Sequence, residues 1–278
     1  MIRTTVFGAM ATLAAWSVSG TAAAQAQHHG GHGMNTQAAP APSTGKESGM
    51  QRGLDALFPA RYPKTLGFLI PADEMNPEII RWYEEDHSVY ASFQWPHMLR
   101  YQRNFIMGTD QGKPPVYKVI TEFVWKSEDD KHKARALFAT PAAARTVNEV
   151  LPSWLHMERM PETFMVPVET AVVKITPAPL KAGGSIPRKV ILLRRSGDLS
   201  PRQFEKAVVV YAGKLAALDA RSGASVDFVR NDPGTPSPAD AIVFIDNPVN
   251  GTLPPPDAAV ASVAAVYTVD SRKSPIPE

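Results

Sequence analysis

The order of elements along this chain predicts an α+β fold of two tandem units, each running strand, helix, strand, strand, helix, strand. Three observations predict it: short apolar or alternating runs bounded by Pro and Gly, helix-start signals between those runs, and a proline- and glycine-rich bridge from Thr176 to Pro187. Identity between the two units is negligible, so the repeat rests on element order alone.

In the first unit Leu66 to Ile70 reads as a short apolar strand stopped by Pro71. Asn76-Pro77-Glu78 then supplies an N-cap, a first-turn proline and an early acid for a helix running to about Phe93, ended by Pro96. Leu99 to Met107 and Val116 to Trp125 alternate as strands around a turn from Gly108 to Pro115. Ser127 and Asp130 cap a second helix, which Thr140-Pro141 restarts towards Val150. Thr163 to Ile175 closes the unit, with Pro167 marking an edge or a bulge.

The second unit opens with a strand from Val190 to Leu193. Ser200-Pro201-Arg202-Gln203 is a capping-box sequence for a helix through Leu218. Val226 to Val229 and Ala241 to Ile245 are strands about a turn containing Asp232-Pro233-Gly234. A shortened helix from Asp257 to Ser262 precedes the last strand, Ala265 to Val269.

The N-terminal end carries different information. Residues 1–26 read as a secretory leader: Arg3, an apolar run from Val6 to Val18, and A-x-A sites ending at Ala24 or Ala26. The run is too short to span a bilayer, so no stable membrane insertion is expected once the leader is removed, and the location is periplasmic or secreted. Residues 27–60 form a His-rich tail and linker whose composition cannot bury a core. With cleavage after Ala26, His29 becomes the third residue, a spacing that lets the free amine, two deprotonated amides and its imidazole wrap Cu(II) or Ni(II) in a square plane; His28, His29 and His32 are the candidate metal residues. The folded units are placed at 61–176 and 188–273.

Composition narrows the function. The 278 residues contain no cysteine, which removes disulfides, thiolate nucleophiles and Fe–S ligation, and the net charge is only +2. With no basic stripe interleaved with aromatics, nucleic acid is not the expected partner. Neither G-x-G-x-x-G after a strand, nor a P-loop, H-E-x-x-H or G-x-S-x-G occurs, which disfavours common nucleotide enzymes, zinc hydrolases and serine hydrolases.

The site candidates cluster on the first helix and the strand after it. A 100° step puts Ile79, Trp82, Tyr83, Val89, Tyr90 and Phe93 on one face, with Glu84 and Glu85 opposite. Asp86 falls within the apolar face and His87 at its margin, so Asp86 and His87 are the candidate proton-transfer groups. Alternation sets Tyr101 and Arg103 beside Leu99 and Phe105, and Glu122 beside Ile120 and Val124. Arg103 is expected to pair with Glu122 or Asp86, or to hold an anionic group of a ligand. Tyr83, Tyr101, Arg103 and Glu122 are the candidate substrate-binding residues.

These residues resemble the EthD family, named for ethyl tert-butyl ether degradation, within the dimeric α+β barrel superfamily. The resemblance is carried by the strand Leu66 to Ile70, Trp82-Tyr83 placed four to five residues before His87, Leu99-Arg100-Tyr101, and Glu122-Phe123-Val124-Trp125, and it spans Leu66 to Val173. It implies a ferredoxin-like unit whose sheet meets a second sheet to form a barrel, with a hydrophobic cleft between sheet and helices and the family's helix histidine at His87. Family members are mostly cofactor-independent, some relatives act on aromatic or polyketide-like compounds, and distant barrel relatives bind haem. Here the second unit would supply the partner sheet in cis, giving a monomer with an internal pseudo-dimer or a weak homodimer.

The expected function is a cofactor-independent lyase, isomerase or oxygenase-like enzyme acting on a small hydrophobic molecule by acid–base chemistry. Two alternatives stand beside it: a non-catalytic binding protein for a hydrophobic ligand or haem, and a copper-handling protein working through its tail.

Overall fold

Backbone pairing, more than helix content, organises this chain. The computed structural model describes residues 62–70, 76–87, 92–139, 162–177, 180–197, 199–231, 237–274 and 276, without the side chains of residues 79, 86, 87, 93, 138, 139, 162 and 163. The leader, the His-rich tail with His28, His29 and His32, the helix restart after Thr140, His156 and the Asp232-Pro233-Gly234 turn lie outside the described residues.

The strands are β1 (Lys64–Ile70), β2 (Met98–Gly112), β3 (Val119–Trp125), β4 (Glu162–Lys174), β5 (Ser185–Arg195), β6 (Gly223–Val229), β7 (Ala241–Asp246) and β8 (Ala261–Lys273). They close an antiparallel barrel in the order β1-β3-β2-β8-β5-β7-β6-β4. Strands of the first half stand as β4-β1-β3-β2, and those of the second half repeat that order as β8-β5-β7-β6. The two quartets join along β2·β8 and β4·β6, so each half closes the other's edges and both belong to one compact unit, Gly45–Glu278.

That junction explains why β2 and β8 outrun their sequence signals. Their ladder extends from Gln102↔Lys273 to Gly112↔Ala265, pairing stretches that lack an apolar alternation of their own. Pro167 is not on an edge strand. It lies opposite Thr65 of β1, just before the β6 ladder starts at Val168, and its carbonyl accepts from Arg230 N at 2.9 Å.

Three α-helices lie on the described part of the barrel's outer face: α1 (Pro77–Trp82), α2 (Glu128–Ala139) and α3 (Pro201–Ala216). None of the described helices is long and apolar enough to cross a membrane. The caps expected at Ser127 and Ser200 form. Asp130 N donates to Ser127 Oγ at 3.0 Å, and Ser200 and Gln203 complete a reciprocal capping box at the start of α3.

Two helix expectations fail. The first helix does not run unbroken to Phe93: after α1 it widens into a π turn over Tyr83–His87, and Ser92–His97 forms a separate 3₁₀ helix containing Pro96. In the second half, Asp257 to Ser262 is no helix. Val260 N and Ala261 N both bond to Asp257 O in a single turn, and Ala261 is drawn into β8 opposite Arg195. The three preceding prolines supply no N–H, and β8 claims the residues that would have extended the turn.

Side-chain parity sorts the core. One lumen end is apolar, filled by Leu66, Phe68, Ile120, Val166, Val190, Leu192 and Phe244. Outside, α3 buries Phe204, Val208 and Leu215 on β5 to β7, and α1 brings Ile80 and Trp82 onto Leu69, Phe105 and Val119.

Candidate functional site

The outward face of β2 and β3, where the first helix changes geometry, gathers most of the expected binding residues. Tyr83 opens the π turn and is fully buried, with its ring edge-on to Phe105 at 5.4 Å. Its hydroxyl lies 3.1 Å from Thr121 Oγ1 on β3 and also hydrogen-bonds Tyr101. Tyr101, 1% exposed, carries the Arg103 guanidinium 4.9 Å from its ring centroid.

The Asp86 side chain lies outside the described residues, and Arg103 does not pair with Glu122. Its Nε donates to Glu84 Oε1 and its Nη2 to Glu84 Oε2, both at 2.6 Å, while Nη1 donates to Ser274 Oγ at the end of β8. Two geometric facts cause the difference. Arg103 stands opposite Thr121 in the β2·β3 register and Glu122 opposite Gln102, so Arg103 points outward where Glu122 points into the lumen. The π turn also breaks the 100° step that set Glu84 on the solvent face, and Glu84 comes round to the sheet.

Burial pushes both phenols up, Tyr101 well above the ordinary tyrosine value, against the lowering pull of Arg103. Both keep their protons at neutral pH, with the Tyr83 hydroxyl bonded to both Thr121 and Tyr101. Burial works against the charged form of Arg103, but the Glu84 hydrogen bonds and charge outweigh it and hold the guanidinium ionised. With its charge met by Glu84, Arg103 orients its neighbours, which leaves the Tyr101 hydroxyl as the donor suited to a developing oxyanion. Asp86 and His87 follow on the π turn, with side chains outside the described residues, so His87 as an acid–base group or haem ligand has no described geometry.

The other described histidines are placed elsewhere. His97 ends the 3₁₀ helix with Nδ1 2.9 Å from Asp130 Oδ1, and His132 is exposed on α2. Among the described residues no group of three or more His, Cys, Asp or Glu is arranged to hold a metal ion.

Glu122 belongs to a second cluster at the polar end of the lumen. Its fully buried carboxylate accepts from Lys64 Nζ (2.7 Å), Arg188 Nη1 (2.6 Å), Arg100 Nη2 (3.1 Å) and Asn104 Nδ2 (3.1 Å). Burial pushes this carboxyl up, but Lys64, Arg188 and Arg100 together hold it well below the usual range. Lys64 also lies 2.6 Å from Asp227 Oδ2, and Arg188 Nε donates to Asp246 Oδ1 at 2.5 Å. Sequence reading missed Lys64, Arg188 and Asp227. The signal was parity: Lys64 alternates with Leu66 and Phe68, and Arg188 with Val190 and Leu192, all inward.

Two larger cavities of about 590 and 600 Å³ flank Tyr211, Pro254 and Pro255, between α3 and the irregular stretch that replaces the expected second helix.

No family model matches this chain, and no curated protein matches it. Among solved structures it is similar to a proposed monooxygenase from Lactobacillus acidophilus NCFM, at 9% identity and a TM-score of 0.40, over 77% of this chain and 96% of that one. It is also similar to an anthrone oxidase-like protein (11% identity, TM-score 0.40, 78% of this chain and 94% of that one). A third, a proposed monooxygenase from Fusobacterium nucleatum subsp. nucleatum, shares 6% identity at a TM-score of 0.38, over 67% of this chain and 75% of that one. These are likenesses of fold alone.

Proposed function

We propose that this chain is an exported, cofactor-independent enzyme that removes a proton from a hydrophobic aromatic or polyketide-like carbon acid, on tandem ferredoxin-like units of the EthD kind. One observation carries the reading: the helix abandons α geometry at Tyr83–His87, directly over a buried array of two neutral phenols and a neutralised guanidinium. Such local widening is costly and is frequent at functional sites. In this reading Asp86 or His87 accepts the proton, and Tyr101, oriented by Tyr83, turns its one hydroxyl proton from Tyr83 to the resulting enolate oxygen. Arg103, fixed by Glu84, holds Tyr101 in place.

Proton abstraction is testable before the net reaction is known. The full chain is incubated in deuterium oxide with 2-tetralone and with anthrone, and incorporation at the acidic carbon is followed by NMR. The expected result is exchange faster than buffer, abolished in His87→Ala or Asp86→Asn and lowered about a hundredfold in Tyr101→Phe. Exchange at the buffer rate with both ketones, or unaltered in all three variants, overturns the proposal.

The binding-protein reading has its own support in the cavity beside α3, whose walls include Val208, Val210, Leu215 and Val260 with three prolines. Saturable uptake of a hydrophobic dye there, weakened by Val210→Asp and accompanied by no exchange, would favour it over the enzyme.

A further inference from the structure

Thr176, Leu180 and Ile186, from the segment between the halves, line a cavity of about 220 Å³ at the polar end of the barrel. Thr176 is buried, donates to Asp246 Oδ2, and sits against Gly223. The inward alternation of β2 and β8 places Arg100 two residues before Gln102, and Gln102 opposite Lys273 in the ladder.

Most charges around this mouth are already committed. Lys174 Nζ donates to the carbonyls of Ala216 and Asp219 at 2.7 and 3.0 Å, and Arg188 is divided between Asp246, Glu122 and Asn104. Arg100 and Lys273 are not. Arg100, its side chain 37% exposed, spends Nη2 on Glu122 while its Nη1 has no partner among the described residues, and neither has Lys273 Nζ. The lining carries Arg100, Lys174, Arg188 and Lys273 against Asp246, and with the adjoining Lys64, Glu122 and Asp227 the cluster keeps an excess of two positive charges. The remaining wall is apolar at Ile175, Leu180 and Ile186.

We propose that this mouth binds a small organic carboxylate, its head group held by Arg100 and Lys273 and its short apolar body laid against Ile175, Leu180 and Ile186. The unspent guanidinium and ammonium donors suit a carboxylate, because hydrogen bonds to ionised partners are roughly twice as strong as neutral ones. The volume falls below the roughly 300 Å³ at which drug-sized sites begin, which limits the ligand to a few heavy atoms beyond the head group. The apolar wall gives inorganic phosphate nothing to match it. This site lies inside the barrel, separate from the phenol array on its outer face.

The test is calorimetric titration of the full chain at neutral pH with benzoate, and separately with inorganic phosphate. Benzoate is expected to bind saturably at one site, more tightly than phosphate. Lys273→Gln should weaken benzoate about tenfold, the loss of one charged contact. Ile186→Ser should weaken benzoate and leave phosphate unaltered. Arg100→Gln disturbs Glu122 and is read only if its melting curve stays cooperative, so Lys273→Gln and Ile186→Ser carry the test. Absence of saturable benzoate binding, benzoate affinity unchanged in Lys273→Gln, or phosphate binding as tightly as benzoate overturns the proposal.

Discussion

Arg103 and Glu84 meet fork to fork, with two parallel bonds of 2.6 Å joining the middle of β2 to the π turn above it. This geometry fixes two atoms of each group at once, and Arg103 is 2% exposed. A double-mutant cycle of Arg103→Met and Glu84→Gln, read by urea denaturation, should give a coupling of about 1–3 kcal/mol. Because Glu84 is part-exposed, its single variant should be the milder of the two. Arg103→Lys should behave nearly as badly as Arg103→Met, since an ammonium cannot span both oxygens. A coupling near zero would show that the pair is incidental.

Glu122 is the counter-charge on which the polar end of the lumen depends. Glu122→Gln leaves Lys64 and Arg188 buried with less negative charge than they need, and should cost about 3–5 kcal/mol by denaturant titration. The pH dependence follows from the depressed carboxyl. Its stabilisation is complete above the unfolded value of about 4.3 and is lost as pH falls towards the folded value, because only the unfolded chain then takes up the proton. Stability of the parent chain should therefore decline steeply below about pH 4, and Glu122→Gln should flatten that limb. An unchanged acid limb in the variant would place the titration elsewhere.

These two carboxylates also show what the sequence could and could not reveal. Strand parity was legible: period two put Glu122 with Ile120 and Arg103 with Tyr101 and Phe105, and the structure keeps both groupings. Which face of which strand met the helix was not legible, because that depends on the Arg103↔Thr121 register, fixed by pairing across the barrel. Caps were legible at Ser127 and Ser200, where the signal is local. The π turn was not, since an i→i+5 widening leaves no mark in residue spacing and arises where tertiary contacts outweigh local preference. The long β2·β8 ladder was hidden for the same reason.

Gly223 and Gly213 make opposite predictions for one substitution. A Cβ on Gly223 would stand 2.0 Å from Thr176 Oγ1 and 2.8 Å from Thr176 N, and the backbone nitrogen cannot swing aside. Gly223→Ala should therefore displace the bridge and destabilise the chain by about 1–3 kcal/mol. Gly213 lies within α3, where its Cβ would touch only Val173 Cγ1 at an ordinary 3.5 Å. Gly213→Ala should stabilise by about 0.5–1 kcal/mol through lost unfolded-state entropy. Paired thermal melts check both; the same sign for the two variants would refute the account.

The buried phenols set the alkaline limit. Both Tyr83 and Tyr101 are held above the ordinary tyrosine value, chiefly by burial. Such a group's contribution is fully present below the unfolded value of about 10 and is lost as pH rises towards the folded value, because the unfolded chain releases a proton that the folded chain retains. Stability should therefore fall above about pH 10, and Tyr101→Phe should push that decline to higher pH by removing one proton from the balance. At neutral pH the same variant loses one buried hydrogen bond and should cost about 1 kcal/mol, so its curve starts lower and crosses the parent curve in alkali. Urea midpoints measured from neutral pH into alkali display that crossing. Parallel curves would mean that the Tyr101 hydroxyl ionises as freely in the folded chain as in the unfolded one, and its assignment as a protonated donor beside Arg103 would fall with them.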